Sequence, residues 1–405
     1  MTSFDPAAAT AAYLAALPPA AHEKAIHYTQ GGHWLILWGW LVEVVVAVLI
    51  LHSGLLHRTR KRIDGTRRRP ILASVAVIGV FLALDWLFSL PWQAYAGWWR
   101  EKQYGLTSQA FAGWLGESAL GAVLTIVGLG LFLALLYALI RRAPRTWWIW
   151  AAGVWAVMVM IAVLIAPVFI EPLFNRYTPA PPGPVRDQVV ALAKTAHVPS
   201  NKIYIYDGSK QSNRYTANVS GLFGSARVAM SDVMFQKGAD LAEVRGVVGH
   251  EMGHYARGHA WWTAIWLVIE ALIGFFLIQL WFEPVAAFLQ AHVSSIADPA
   301  GLPVLMILIA TFQLLATPLD NTVTRLEEAD ADRFSLKIAN EPDGLSRALV
   351  KTIEYRADSP SAFEEFVFYD HPSVRRRVRS AMDWKAAHLN AAADQGEKTN
   401  AAQSP

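Results

Sequence analysis

The chain has 405 residues, of which 54% are hydrophobic and only 17% charged, with 17 tryptophans and no cysteine. So apolar a balance excludes an ordinary soluble enzyme. The formal charge of +3 is mostly explained by two short basic loops and implies no nucleic-acid partner.

The first 32 residues lack a basic stretch beside an apolar core, so no cleaved signal peptide is read there. Six apolar runs then follow that are long enough to span a bilayer, at about 34–51, 71–90, 119–140, 147–170, 261–282 and 302–319. Tryptophans gather at several of their ends, among them Trp92, Trp98, Trp99, Trp147, Trp148, Trp261 and Trp262, as in interfacial belts. An integral, multi-pass membrane protein is the expectation, with the lipid bilayer as a partner. Glu43, Asp85 and Glu270 fall inside spans and Glu117 near the start of one. Charges at that depth usually face a bundle interior or a wet cavity, so a water-containing chamber is expected. Loop 58–69 holds seven Lys/Arg and loop 141–146 three, against two in 91–117 and one in the first 32 residues. Counted this way, both basic loops lie in the cytoplasm and the polar domain outside.

The polar material forms two blocks. Residues 172–260 open with a Pro-rich lead-in at 177–184, then a helical stretch to about 197, short strands at 203–206 and 227–230, and a helix from 241 to about 259. Asp240 followed by Glu243 is a capping-box-like start for that helix. It contains His250-Glu251-Met252-Gly253-His254, in which histidines four apart share a helix face and can hold one ion, with a glutamate placed to deprotonate a bound water. Gly249 and Gly253 cost helix propensity, and their small size suits a substrate or a neighbouring backbone passing close. The motif is read as a site for one zinc ion.

A peptidase zinc needs a third protein ligand and an open position. On one continuous helix His259 lies about 140° round from His254, so it is set aside. The second polar block, from 320 to about 387, is helical and offers Glu327, Glu328, Asp330 and Asp332 within NTVTRLEEADADRF (321–334). Glu328 and Asp332 form an i,i+4 pair, able to divide ligation from the orienting of a histidine. An ordinary solvated acidic face is the plain alternative. The expected architecture is therefore mainly α: a polytopic helical bundle of six spans with a small α/β zinc-peptidase domain split around the last two. Its parts run 1–170 (four spans), 171–260 (first part of the peptidase domain), 261–319 (a two-span hairpin), 320–388 (second part) and 389–405 (a disordered tail). No internal repeat is visible.

In order along the chain, Tyr104-Gly105, IAP (165–167), PLFNRYTP (172–179), HEMGH with His259, Thr324-Arg325 with Glu328 and Ala331-Asp332-Arg333-Phe334, and DHPS (370–373) with Arg377 resemble the type I CAAX prenyl endopeptidase family, as a bacterial-type member. The resemblance covers about 70–385. It implies His250, His254 and Glu328 as zinc ligands, Glu251 as general base, Asp332 and Arg377 supporting the ligands from behind, and His371 as a donor to the oxyanion. Residues 212–221 (SNRYTANVSG) resemble the family's segment before the metal helix. They fit an exposed edge strand on which substrate backbone would pair, with Asn213, Ala217, Asn218, Val219 and Ser220 as binding residues. Thr324 stands where serine is usual, and eukaryotic members have seven spans rather than six. The resemblance also implies a cytoplasm-facing site, opposite to the loop-charge reading.

The expected partner is a peptide or protein substrate, lipidated or membrane-associated, in a bacterial inner membrane. One enzyme reading is removal of the residues after a prenylated cysteine; another is a broad quality-control endopeptidase at the membrane. A membrane scaffold with structural zinc is the non-enzymatic alternative. It is disfavoured because a structural zinc usually has four protein ligands.

Overall fold

The computed structural model describes residues 4–65, 69–199, 202–221 and 226–402, with 390–402 as backbone only. Six helices are long and apolar enough to cross a membrane: Pro19–His52, Pro70–Gln103, Phe111–Arg142, Trp147–Phe174, His259–Phe288 and Pro299–Ala339. Each contains one of the expected runs and continues into more polar sequence, because an α-helix satisfies its own backbone on either side of a hydrocarbon boundary. Two of them pass through a π-turn, at Tyr95–Trp99 and Ala166–Ile170. Both turns follow a proline or contain one (Pro91, Pro167), whose missing N–H interrupts the helical ladder.

Packing divides the chain into two compact units, one of Gly32–Val163 and Trp261–Thr317, the other of Met1–Gly31, Leu164–Ala260 and Pro318–Pro405. Among its described residues the first consists of helices joined by short non-helical links, with no strand. Its core is built on Phe81, Leu133, Tyr137, Trp147, Phe282 and Leu305, while Ile71, Val127, Trp150 and Leu280 remain exposed, as side chains solvated by lipid do. The loop expected at 58–69 is largely a helix, Leu55–Asp64, which buries Leu56 and pairs Arg60 with Asp298. The basic residues Arg67 and Arg68 lie outside the described residues. Glu117 accepts a hydrogen bond of 2.8 Å from Gln109.

The second unit carries a four-stranded sheet in the order β1-β2-β4-β3: β1 Tyr177–Pro179, β2 Ile203–Tyr206, β3 Ala217–Ser220 and β4 Arg227–Ser231. β2 and β4 are parallel and both outer pairs antiparallel. β4 is buried along its whole length, matching its run of small and apolar residues. β1 lies inside the Pro-rich lead-in, where no strand was expected; Pro179 is tolerated because β1 is an edge. Helix Pro184–Thr195 and the metal helix Leu241–Ala256 bury Val189, Leu192, Val244, Val248 and Met252 against the sheet residues Val228 and Met230. Each large apolar side chain so buried contributes roughly 1.5–3 kcal/mol.

By packing, the residues before Gly32 group with this unit. Helix Pro6–Ala15 buries Leu14 against Leu349, Val378 and Met382, and Tyr13 donates 2.7 Å to Asp343. Of the tail expected to be disordered, residues 389–402 continue helix Val374–Ala402 and 403–405 lie outside the described residues. Its alanine, glutamine, glutamate and lysine content favours helix.

Candidate metal centre

Asp240 caps the metal helix by accepting 2.8 Å from the Glu243 backbone N–H. The reciprocal half of a capping box is not made, because the Glu243 carboxylate turns inward to Lys351 Nζ (2.6 Å) and Tyr215 (3.3 Å). The helix ends at Ala256, earlier than the expected 259, since Gly258 adopts a left-handed conformation at φ +70° and redirects the chain. His259 therefore opens the next helix instead of extending this one.

Three glycines on the metal helix admit its neighbours. A Cβ on Gly246 would sit 2.9 Å from the Leu345 backbone N, on Gly249 2.8 Å from Ser335 Oγ, and on Gly253 3.0 Å from Ala331 Cα. The close approach expected at Gly249 and Gly253 is thus that of the acidic helix Leu302–Ala339. It brings Glu328 onto the two histidines.

His250 Nε2 and His254 Nε2 are 3.1 Å apart, and the Glu328 oxygens lie 3.2 Å from the first and 3.3 Å from the second. A tetrahedral ion with bonds of 2.0–2.1 Å separates its ligand atoms by about 3.3 Å, so the three side chains fit one ion. Glu328 Oε2 is buried, with His250 Nε2 at 3.2 Å and the Arg377 guanidinium at 3.5 Å as its facing groups, and a cation between it and the histidines would meet a carboxylate already out of water. Among the described residues these three form the group able to hold a metal. Of the other carboxylates in the acidic stretch, Asp332 accepts from His250 Nδ1 at 2.9 Å, and Asp330 faces Arg257 and His259.

Behind the ligands, buried Arg377 donates to both Asp332 oxygens at 2.7 Å and stands 3.5 Å from Glu328. Burial presses the His250 imidazolium down, but Glu328 and Asp332 outweigh it and raise its pKa to about 10. A cation binding at Nε2 displaces that proton, so metal affinity rises with pH. Glu251 is pushed above the ordinary glutamate range, chiefly by burial, with the flanking histidines opposing.

A cavity of about 190 Å³ opens on this group, lined by His250, Glu251, His254, Glu328, His371, Arg377, Tyr215, Ala217, Leu349, Tyr355 and Arg356 among others. His371 Nε2 reaches to 3.3 Å from Glu328 and its Nδ1 bonds Asp370 at 2.8 Å; burial lowers its pKa. Of the residues proposed for substrate, Ala217 borders this cavity, whereas Asn213, Asn218, Val219 and Ser220 do not. β3 pairs only with β4, leaving its other edge outermost in the sheet.

Sequence reasoning assigned no role to Arg325 or Arg356. Arg325 donates to the carbonyls of Glu365 (2.7 Å) and Tyr369, and Asn321 to that of Val367 (2.8 Å). Together they cap helix Ala362–Phe368 and hold the turn that presents His371. Its place beside Thr324 in the motif was the available signal. Arg356 Nη2 stands 3.5 Å from His371 Nε2, and nothing in its local sequence marks it.

A multi-pass membrane chain with two histidines and a glutamate grouped so that they could hold one ion, and a half-buried glutamate beside them, has the make-up of an integral-membrane metallopeptidase. Residues 7–176 match the profile described as CAAX prenyl protease N-terminal, five membrane helices, and residues 179–385 match Peptidase family M48. The chain belongs to peptidase family M48, the family of the CAAX prenyl proteases. Among the described residues four candidate spans fall within the N-terminal match, one fewer than the five that profile describes. It is 24% identical over 373 residues to the uncharacterized metalloprotease YhfN of Bacillus subtilis, covering 90% of this chain and 86% of that one. It is 26% identical over 335 residues to CAAX prenyl protease 1 of Saccharomyces cerevisiae, covering 78% and 73%. The fold is shared with the crystal structure of S. mikatae Ste24p, with a TM-score of 0.76 at 20% identity over 91% of this chain and 90% of that one.

Proposed function

We propose that this protein is a zinc endopeptidase in which His250, His254 and Glu328 hold the ion and Glu251 is the general base. The observation that carries the reading is the triangle of Nε2, Nε2 and carboxylate separations, 3.1–3.3 Å, with Glu251 on the same cavity. Bound there, zinc supplies Lewis acidity that polarises a carbonyl and brings the pKa of a water towards about 7. Glu251 takes the proton of the attacking water and returns it to the leaving amine. His371 and the neighbouring Arg356 face the position where charge develops on the carbonyl oxygen, the place for oxyanion donors. Asp332, held by Arg377, keeps the His250 tautomer that leaves Nε2 free for the ion. Substrate backbone adds to the open edge of β3, so that Asn213, Ala217, Asn218, Val219 and Ser220 direct the chain towards the cavity.

The substrate class we favour is the C-terminal peptide of a prenylated, membrane-associated protein, because relatives named CAAX prenyl protease align over most of the chain. The bacterial relative supports placement in a bacterial inner membrane. A prenylated CAAX peptide and the same peptide unmodified, incubated side by side with and without a chelator, test this. Chelator-sensitive cleavage of the prenylated peptide alone is expected. Equal cleavage of both would assign a broad quality-control peptidase, and cleavage of neither would overturn the enzyme reading of the site.

A further inference from the structure

The two histidine ligands are supported differently. His250 Nδ1 meets the Asp332 carboxylate directly. His254 has no carboxylate on its Nδ1; it meets a third histidine, His259, with the two Nδ1 atoms 2.9 Å apart. His259 is 6% exposed, and its Nε2 lies 3.3 Å from Asp330 Oδ2. Asp330 is itself held by Arg257 at 2.6 Å and Arg333 at 3.3 Å. Proton bookkeeping permits one arrangement of this chain. An ion on His254 Nε2 leaves the hydrogen on Nδ1, which must donate. His259 Nδ1 is then the acceptor, so the His259 hydrogen sits on Nε2 and points at Asp330, which can only accept.

We propose that His259 and Asp330 are positioning residues that set the tautomer and ring orientation of the ligand His254 through this relay, with Asp330 supplying the negative charge one imidazole removed. The early end of the metal helix makes it possible: the left-handed Gly258 swings His259 back over His254, which a continuous helix could not do. The inference rests on the proposed ligand set. Support of this kind is worth about 10–100-fold in metal affinity.

The test is zinc affinity of the full-length protein by chelator competition, with the Co²⁺ visible spectrum as a second readout and thermal stability followed in parallel. His259→Phe should bind zinc about 10–100-fold more weakly and shift the Co²⁺ bands. His259→Asn, whose amide oxygen can accept from His254 Nδ1, should recover most of the affinity, and Asp330→Ala should resemble the phenylalanine variant. Should His259→Phe not fold, the asparagine and Asp330→Ala variants carry the comparison. Unchanged zinc affinity and an unchanged Co²⁺ spectrum in Asp330→Ala, or equal loss in the asparagine and phenylalanine variants, overturns the relay. Glu328→Ala serves as control: retained zinc there overturns the ligand set itself, whereas zinc lost there but tight in both His259 variants removes the relay alone.

Discussion

Arg377 grips Asp332 through both carboxylate oxygens at 2.7 Å, and the same Asp332 oxygen that receives Arg377 Nη2 also accepts from His250 Nδ1. The pair joins the final helix, the acidic helix and the metal helix at one buried point. Because both partners are buried, removing one strands the other. Arg377→Ala should cost roughly 3–5 kcal/mol of stability and weaken metal binding; Arg377→Lys should restore charge but not the bidentate geometry. Thermal unfolding and chelator titration measure the two effects, and a lysine variant equal to the parent in both would argue against a bidentate role.

Glu251 and Glu328 should separate cleanly. Glu251→Gln keeps the proposed ligand set and removes the proposed base, so zinc should stay bound while cleavage falls by about 10²–10⁴. Glu328→Ala removes a proposed ligand, so metal should be lost first. Metal content by mass spectrometry beside a peptide assay decides it; substantial cleavage by the glutamine variant would eliminate the proposed mechanism.

Arg325 acts at a distance from the metal. Arg325→Ala frees the carbonyls of Glu365 and Tyr369 and loosens the turn before His371. A loss of kcat approaching that of removing an oxyanion donor, about 10²–10³, is expected with zinc affinity retained. An equal loss in His371→Ala, and no further loss in the double variant, would show that the two act as one unit.

Gly253→Ala distinguishes propensity from packing. In an exposed helix alanine is better than glycine by about 1 kcal/mol, yet here the added methyl meets Ala331 backbone atoms at 3.0 and 3.1 Å. The variant should be less stable and bind metal more weakly, since the helix it displaces carries Glu328. A raised melting temperature would contradict the close approach.

Asp240 makes the helix start pH-dependent. Slight burial acts upward on its carboxyl, but the Glu243 N–H and the Arg347 guanidinium outweigh it and hold the pKa below the ordinary range. A depressed folded-state pKa means stabilisation present above the unfolded value, near 4, and lost as pH falls through the folded one. Asp240→Ala should therefore cost about 1 kcal/mol at pH 7. The gap should narrow only below about pH 4. Melting temperatures of both proteins from pH 7 to 3 check this, and a gap constant to pH 3 would exclude a charged cap.

Spans and chemistry were legible because both are local. Eighteen or more apolar residues announce a membrane helix wherever they pack, and a histidine four residues from another shares its face by helix geometry alone. His250, Glu251 and His254 could thus be named as candidates from spacing, and the candidate third ligand was narrowed to Glu327, Glu328, Asp330 and Asp332 before the family pattern selected Glu328.

What the chain alone left open depends on contacts between segments far apart in sequence. That Glu328 faces the histidines while Asp332 stands behind one of them follows from how the acidic helix crosses Gly249 and Gly253. The N-terminal helix joins the peptidase unit through Leu14 and Tyr13, a choice that its own composition does not encode. His259 is the sharpest case. Helical periodicity set it aside as a ligand, but only the left-handed turn at Gly258 places it against His254. Sequence spacing describes an unbroken helix, and a single backbone reversal, stabilised by tertiary packing, decides which side chains meet beyond it.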